Sequence, residues 1–76
     1  MNASRRKELE LLIDQIEGIS TGLEELRDQE QEAFDNLPES LQYSGKGEKM
    51  EEAINYLDDA ISGLEDTIEN IRQAVE

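Results

Sequence analysis

The C-terminal part of the chain follows a seven-residue pattern. Between Glu51 and Val75 each unit has an acidic or polar pair, a small residue, a β-branched residue, two mostly polar residues and a Leu or Ile. This spacing puts two apolar rows side by side on one face of an α-helix. The pattern therefore predicts a helix over about 46–75. Its two rows are Ile54, Ile61, Ile68 and Val75, and Met50, Leu57, Leu64 and Ile71.

The N-terminal part carries a similar stripe, which predicts a helix over about 4–35 with Ser4 as a candidate N-cap. Glu30 continues the first of its two rows, so either the helix frays there or Glu30 lies near a polar partner. Gly18 and Gly22 share a face and mark either a kink or the close approach of another backbone. The two rows are Leu9, Ile16 and Leu23, and Leu12, Ile19 and Leu26.

The connection over about 36–46 contains Pro38, which disfavours continuation of the first helix. A short helical turn from Pro38 to Gln42 fits the sequence, and Ser44 or Gly45 is a candidate cap for the second long helix. Leu37, Leu41 and Tyr43 are apolar enough to cover this end of the molecule.

Two helices of equal length joined by about ten residues predict a single all-α domain, an antiparallel two-helix coiled-coil hairpin. The competing interpretation is one extended parallel coiled coil, which Pro38 and the glycines of the connection disfavour. In the hairpin, Gly22 lies near Gly63, and the basic cluster Arg5–Lys7 lies beside the C-terminal end of the second helix.

A third row in the second helix widens its apolar stripe beyond what one neighbouring helix covers. Two long helices alone also bury little surface for their size. We therefore expect two hairpins to associate as an antiparallel four-helix bundle. The candidate oligomer interface is Ile13 with the third row, which consists of Ala53, Ala60, Thr67 and Ala74.

Composition limits the possible chemistry. The chain has no Cys and no His, which removes thiolate ligands, the commonest general base and the commonest transition-metal ligand. Its 20 acidic and 7 basic residues give a net charge of −13, which disfavours direct binding to nucleic acid or to anionic lipid. No nucleophile–base pair, phosphate loop or calcium loop is recognisable. We expect no enzymatic activity, no cofactor, no bound metal and no membrane association.

Acidic pairs recur every seven residues in the second helix. They either keep a coiled coil in solution or bind a basic protein. A dimer would carry about one net charge per ~1.7 Å of its length, close to the charge density of duplex DNA. The candidate partner-binding residues are the pairs Glu51 and Glu52, Asp58 and Asp59, and Glu65 and Asp66, together with Gly22 and Gly63.

The run Phe34–Gln42, followed by the Ala-Ile-x-x-Leu heptads, resembles small acidic proteins of phages and mobile elements of Gram-positive bacteria. The resemblance implies a phage or mobile-element origin and a place in the host cytoplasm. It favours an inhibitor of a host defence or nucleic-acid-handling protein, which would act by mimicking nucleic-acid charge. The alternative is a scaffold- or chaperone-like oligomerisation module, and a third possibility is an antitoxin-like acidic partner.

Overall fold

The computed structural model describes residues 1–76 and is entirely helical. It contains α1 (Ala3–Asp35), α2 (Glu39–Gln42) and α3 (Gly45–Val75). The long helices α1 and α3 pack against each other in a body of 58 × 15 × 12 Å, and α2 packs on α3. They are antiparallel, since Arg27 meets Asp58 and Glu17 meets Arg72. The predicted helical hairpin is thus confirmed.

The side of α3 that contacts α1 is made of the two predicted apolar rows. Ile54, Ile61 and Ile68 are buried, and they are the largest part of a very small core. The other row, from Met50 to Ile71, is half-buried. We call the contact between α1 and α3 the seam. The prediction of both α3 rows is confirmed.

The side of α1 in the seam differs from the prediction in one of its two rows. Leu9, Ile16 and Leu23 are half-buried as expected, but Leu12, Ile19 and Leu26 are exposed. The row that begins one residue later, at Ile13, takes their place. With the Leu9 row it gives seam positions separated alternately by four and three residues from Leu9 to Leu37. The residues of the Ile13 row are Ile13, Ser20, Arg27 and Phe34.

The N-terminus of α1 corrects two further expectations. Asn2, not Ser4, is the N-cap: its Oδ1 accepts a hydrogen bond of 2.8 Å from the backbone N–H of Arg5. Ile13 and Val75 line one recess, so the first turns of α1 extend beyond the end of α3. For that reason the basic cluster Arg5–Lys7 makes no ion pair with α3.

The turn between the long helices is tightly packed at one glycine. The predicted short helix is present as α2, and Ser44 caps α3 by accepting a hydrogen bond of 3.5 Å from the N–H of Gly47. Gly47 is buried, and a Cβ there would overlap the backbone carbonyl of Gln42. Tyr43, expected to help cover this end, is exposed instead. α1 continues through Glu30 without fraying.

Candidate functional site

The hairpin has two long flanks, one on each side of the seam. Glu17 and Arg72 each directly follow a half-buried seam residue, and they meet across the helices at 2.9 Å. Positions that follow those seam residues therefore share one flank. The other seam row of each helix contains the buried residues, such as Ile61. In an antiparallel pair, the positions that directly precede these residues, such as Ala60, share the opposite flank.

The first flank is acidic. Arg27 Nη1 bonds Asp58 Oδ1 at 3.0 Å, and with the Glu17–Arg72 pair this is the only ion pairing between α1 and α3. Glu52, Asp59 and Asp66 follow by one residue, about 100° further round α3, so they lie on the back of the helix, opposite the seam. They make no ion pair. We call the first flank the acidic flank. Its α1 and α3 rows nearest the seam are Glu10, Glu17, Glu24 and Gln31, and Glu51, Asp58, Glu65 and Arg72.

Arg27 is the one basic side chain placed in the seam itself. Its guanidinium reaches out of the seam to Asp58 and to Asp28, at 3.0 and 3.2 Å. The hydrogen bond to Asp58, followed by that to Asp28, raises the pKa of Arg27 above its usual value. Arg27 therefore stays charged and neutralises part of the acidic flank near the middle of the molecule.

The opposite flank carries large apolar side chains on α1. Leu12, Ile19 and Leu26 are 47%, 58% and 57% exposed, and Ala33 continues their seven-residue spacing. We call these four residues the leucine row. Scattered exposed leucines are common on protein surfaces, but here three large side chains recur about every 10.5 Å on one side of one helix.

The same flank carries small side chains on α3. Ala53, Ala60, Thr67 and Ala74 directly precede seam residues and form the alanine row. The next positions outward are uncharged as well, and Tyr56 among them is 66% exposed. We call the whole surface the uncharged flank. Besides the two rows it contains Gln15, Gly22 and Gln29 on α1, and Tyr56, Gly63 and Asn70 on α3.

The sequence-predicted site residues thus fall into four separate places. Three acidic candidates lie on the acidic flank and three on the back of α3, and the alanine row lies on the uncharged flank. Ile13, expected beside the alanine row, is buried in the seam and is not open to a second chain. Gly22 and Gly63 are on the outer edge of the uncharged flank. A Cβ at either glycine meets nothing within 4 Å, so they mark no close approach inside the hairpin.

The geometry offers surfaces and not an enclosed pocket. The recesses lie along the helix pair and are lined mainly by polar side chains, for example Glu17, Ser20 and Arg72. No three carboxylates converge on a point that could hold a metal ion. No helix has the length and apolar character of a membrane span. The chemically distinct surfaces of the molecule are its two long flanks.

Comparison of the chain with protein-family models, with curated proteins and with solved structures found no match.

Sequence reasoning missed the leucine row as a surface feature, because it placed these residues in the seam. A signal for the true seam was present at both ends of α1. Leu9, Ile13 and Ile16 at one end, and Phe34 and Leu37 at the other, keep one four–three spacing. That spacing leaves Leu12, Ile19 and Leu26 outside the seam.

Proposed function

We propose that this chain is a non-enzymatic binding protein that assembles as a homodimer and presents an acidic surface to a basic protein. One observation carries the proposal: the hairpin separates its charge, with carboxylates on one flank and none in the leucine and alanine rows of the other. Two hairpins that pack through their uncharged flanks form an antiparallel four-helix bundle. All the acidic pairs then remain on the outside.

The outer surface of such a dimer supports a basic partner. Two chains carry twice the −13 of one, over a length of 58 Å, or about one net charge per 2.2 Å. Duplex DNA carries one charge per ~1.7 Å of its axis. A protein groove that binds nucleic acid would accept a rod of similar charge density. The partner we propose is a host defence or nucleic-acid-handling protein, which the dimer inhibits by occupying that groove.

A pull-down tests the acidic surface. The chain is immobilised and exposed to a Gram-positive bacterial lysate at about 50 mM salt, then eluted with duplex DNA or with about 0.5 M salt. We expect a basic protein to bind and both eluents to release it. The matched control neutralises three unpaired side chains in the variant Glu52→Gln, Asp59→Asn and Asp66→Asn. Absence of any basic protein at low salt, or equal capture by the control, contradicts this function.

The uncharged flank favours a second candidate function, an assembly or scaffold role in which apolar surface binds another protein. In that case the captured protein stays bound at about 0.5 M salt, because apolar contacts are not screened. The pull-down therefore separates the two functions by how its bound protein responds to salt.

Sedimentation equilibrium tests the dimer independently of any partner. We expect a mass twice the 8.6 kDa of one chain. A monodisperse, highly helical monomer would refute the four-helix bundle.

A further inference from the structure

The hairpin exposes more surface than a compact chain of its mass. Its accessible surface is 5518 Å², whereas a folded monomer of 8.6 kDa typically exposes ~4,700 Å². The excess of about 800 Å² equals the area that one partner contributes to a stable interface of ordinary size. An interface of that size along one flank would bring the molecule to normal compactness.

Charge decides which flank receives a second copy. Packing of two acidic flanks would bring carboxylates of one chain against those of the other, which is strongly unfavourable. The uncharged flank has no such cost along its length, since its two rows contain no charged residue between Leu12 and Ala33 or between Ala53 and Ala74. Charged side chains in line with these rows, such as Lys46 and Lys49, lie only at its ends. A second copy also keeps its own acidic flank on the far side. The occupant that fits this surface is therefore another uncharged flank.

The two rows of the uncharged flank lie at matching heights. The contacts Arg27–Asp58 and Glu17–Arg72 set the level of α1 against α3. At that level Leu26 lies beside Ala60, within about one residue, and Ile19 beside Thr67. The levels of Leu12, Ile19 and Leu26 thus each offer one large and one smaller side chain, whereas at the turn end Ala33 and Ala53 are both small.

Two face-to-face arrangements have two-fold symmetry. With the axis along the helices, α1 of each copy lies on α3 of the other, and both turns are at the same end. With the axis across the helices, α1 lies on α1 and α3 on α3, and the turns are at opposite ends.

The side-chain volumes distinguish these arrangements. Interaxial distances vary between about 8 and 10 Å with the size of the side chains at the contact. Large on large and small on small would give two unequal distances and splay the hairpins. Large on small gives equal distances and fills each layer evenly. We infer that a second copy packs its leucine row on the alanine row, with both turns at one end; this deepens the homodimer of the proposed function.

Disulfide trapping tests the arrangement, and the absence of native cysteine makes it clean. Two single-cysteine variants are mixed, Leu26→Cys with Ala60→Cys, and oxidised. A cross-link between different chains is expected, because those positions face each other across the dimer. The comparison mixture is Ile19→Cys with Leu26→Cys, which places both cysteines on α1. We expect no cross-link there, since the two α1 helices lie diagonally.

The outcomes separate the packing from the dimer itself. Efficient trapping of Ile19→Cys with Leu26→Cys, and none of Leu26→Cys with Ala60→Cys, overturns the packing while a dimeric mass is retained. A monomeric mass for the unmodified chain overturns the dimer and the packing together. A further variant, Ile19→Glu, puts a carboxylate in the centre of the interface and should weaken dimerisation at least ~100-fold. Glu25→Gln, on the far side of α1, is its control, and equal dimerisation of both variants would refute this interface.

Discussion

Substitution of Gly47 by Ala tests the packing of the turn between α1 and α3. Gly47 is buried in the first turn of α3, and a Cβ there would overlap backbone atoms of Leu41 and Gln42. Backbone atoms cannot rotate aside as a side-chain end can, so α2 must move off α3. The matched control is Gly18→Ala, because a Cβ at Gly18 meets nothing within 4 Å.

The two substitutions should change stability in opposite directions. Ala is favoured over Gly by about 1 kcal/mol inside a helix, so Gly18→Ala should stabilise the protein by about that amount. Gly47→Ala gains less than this in the first turn, and overpacking typically costs about 1–3 kcal/mol. We expect a net loss of about 1–2 kcal/mol. For a domain of this size, 1 kcal/mol shifts Tm by about 4–8 °C.

Thermal unfolding followed by circular dichroism, at one fixed protein concentration, measures both variants. The expected result is a higher Tm for Gly18→Ala and a lower Tm for Gly47→Ala than for the unmodified protein. A Tm for Gly47→Ala raised as much as that for Gly18→Ala would refute the close packing of α2 on α3.

Three further substitutions or conditions test the seam and the charge. Ile61→Ala should lower the free energy of unfolding in urea by about 2–5 kcal/mol, because Ile61 is only 5% exposed; an effect below about 1 kcal/mol would contradict its burial. The raised pKa of Arg27 means that its pairing stabilises the fold below the unfolded pKa and is lost only as pH rises through the higher folded value. The coupling in a cycle of Arg27→Gln and Asp58→Asn should thus be constant between about pH 6 and 9, and a marked change there would count against it. Finally, Tm should rise when salt is increased from about 0.01 to 0.15 M, because screening relieves the repulsion of a net charge of −13; a fall would show that ion pairs dominate.

Local signals in the sequence were sufficient for much of the fold. Pro38 ends α1, Ser44 caps α3, and the seven-residue spacing of Ile54, Ile61 and Ile68 identifies the seam side of α3. Each of these depends on residues close together in the chain. The helix start was less certain, because Asn2 and Ser4 are both good N-caps and neither has a Glu or Gln three residues later.

The seam side of α1 could not be found by counting apolar residues. Leu12, Ile19 and Leu26 are the most apolar row, yet Ser20 and Arg27 occupy the seam instead. Which face of α1 meets α3 is decided by tertiary packing, which the hydrophobicity of one row does not determine. A row chosen by hydrophobicity alone reflects every apolar contact of α1, including any made with a second chain.

The choice of seam on α1 has a thermodynamic consequence. In the middle of α1 the seam holds Ser20 and Arg27 with only the half-buried Leu23 between them, while the uncharged flank beside them holds Ile19 and Leu26. A single hairpin therefore gains little apolar burial from the middle of α1, although burial of an amphipathic face supplies most of the stability of helices in proteins. Covering Ile19 and Leu26 by the alanine row of another copy would supply what the seam lacks. Folding and dimerisation are then one process, in which stability rises with protein concentration by mass action. If the proposed dimer forms, this coupling would explain how a chain with such a small core of its own keeps a regular hairpin 58 Å long.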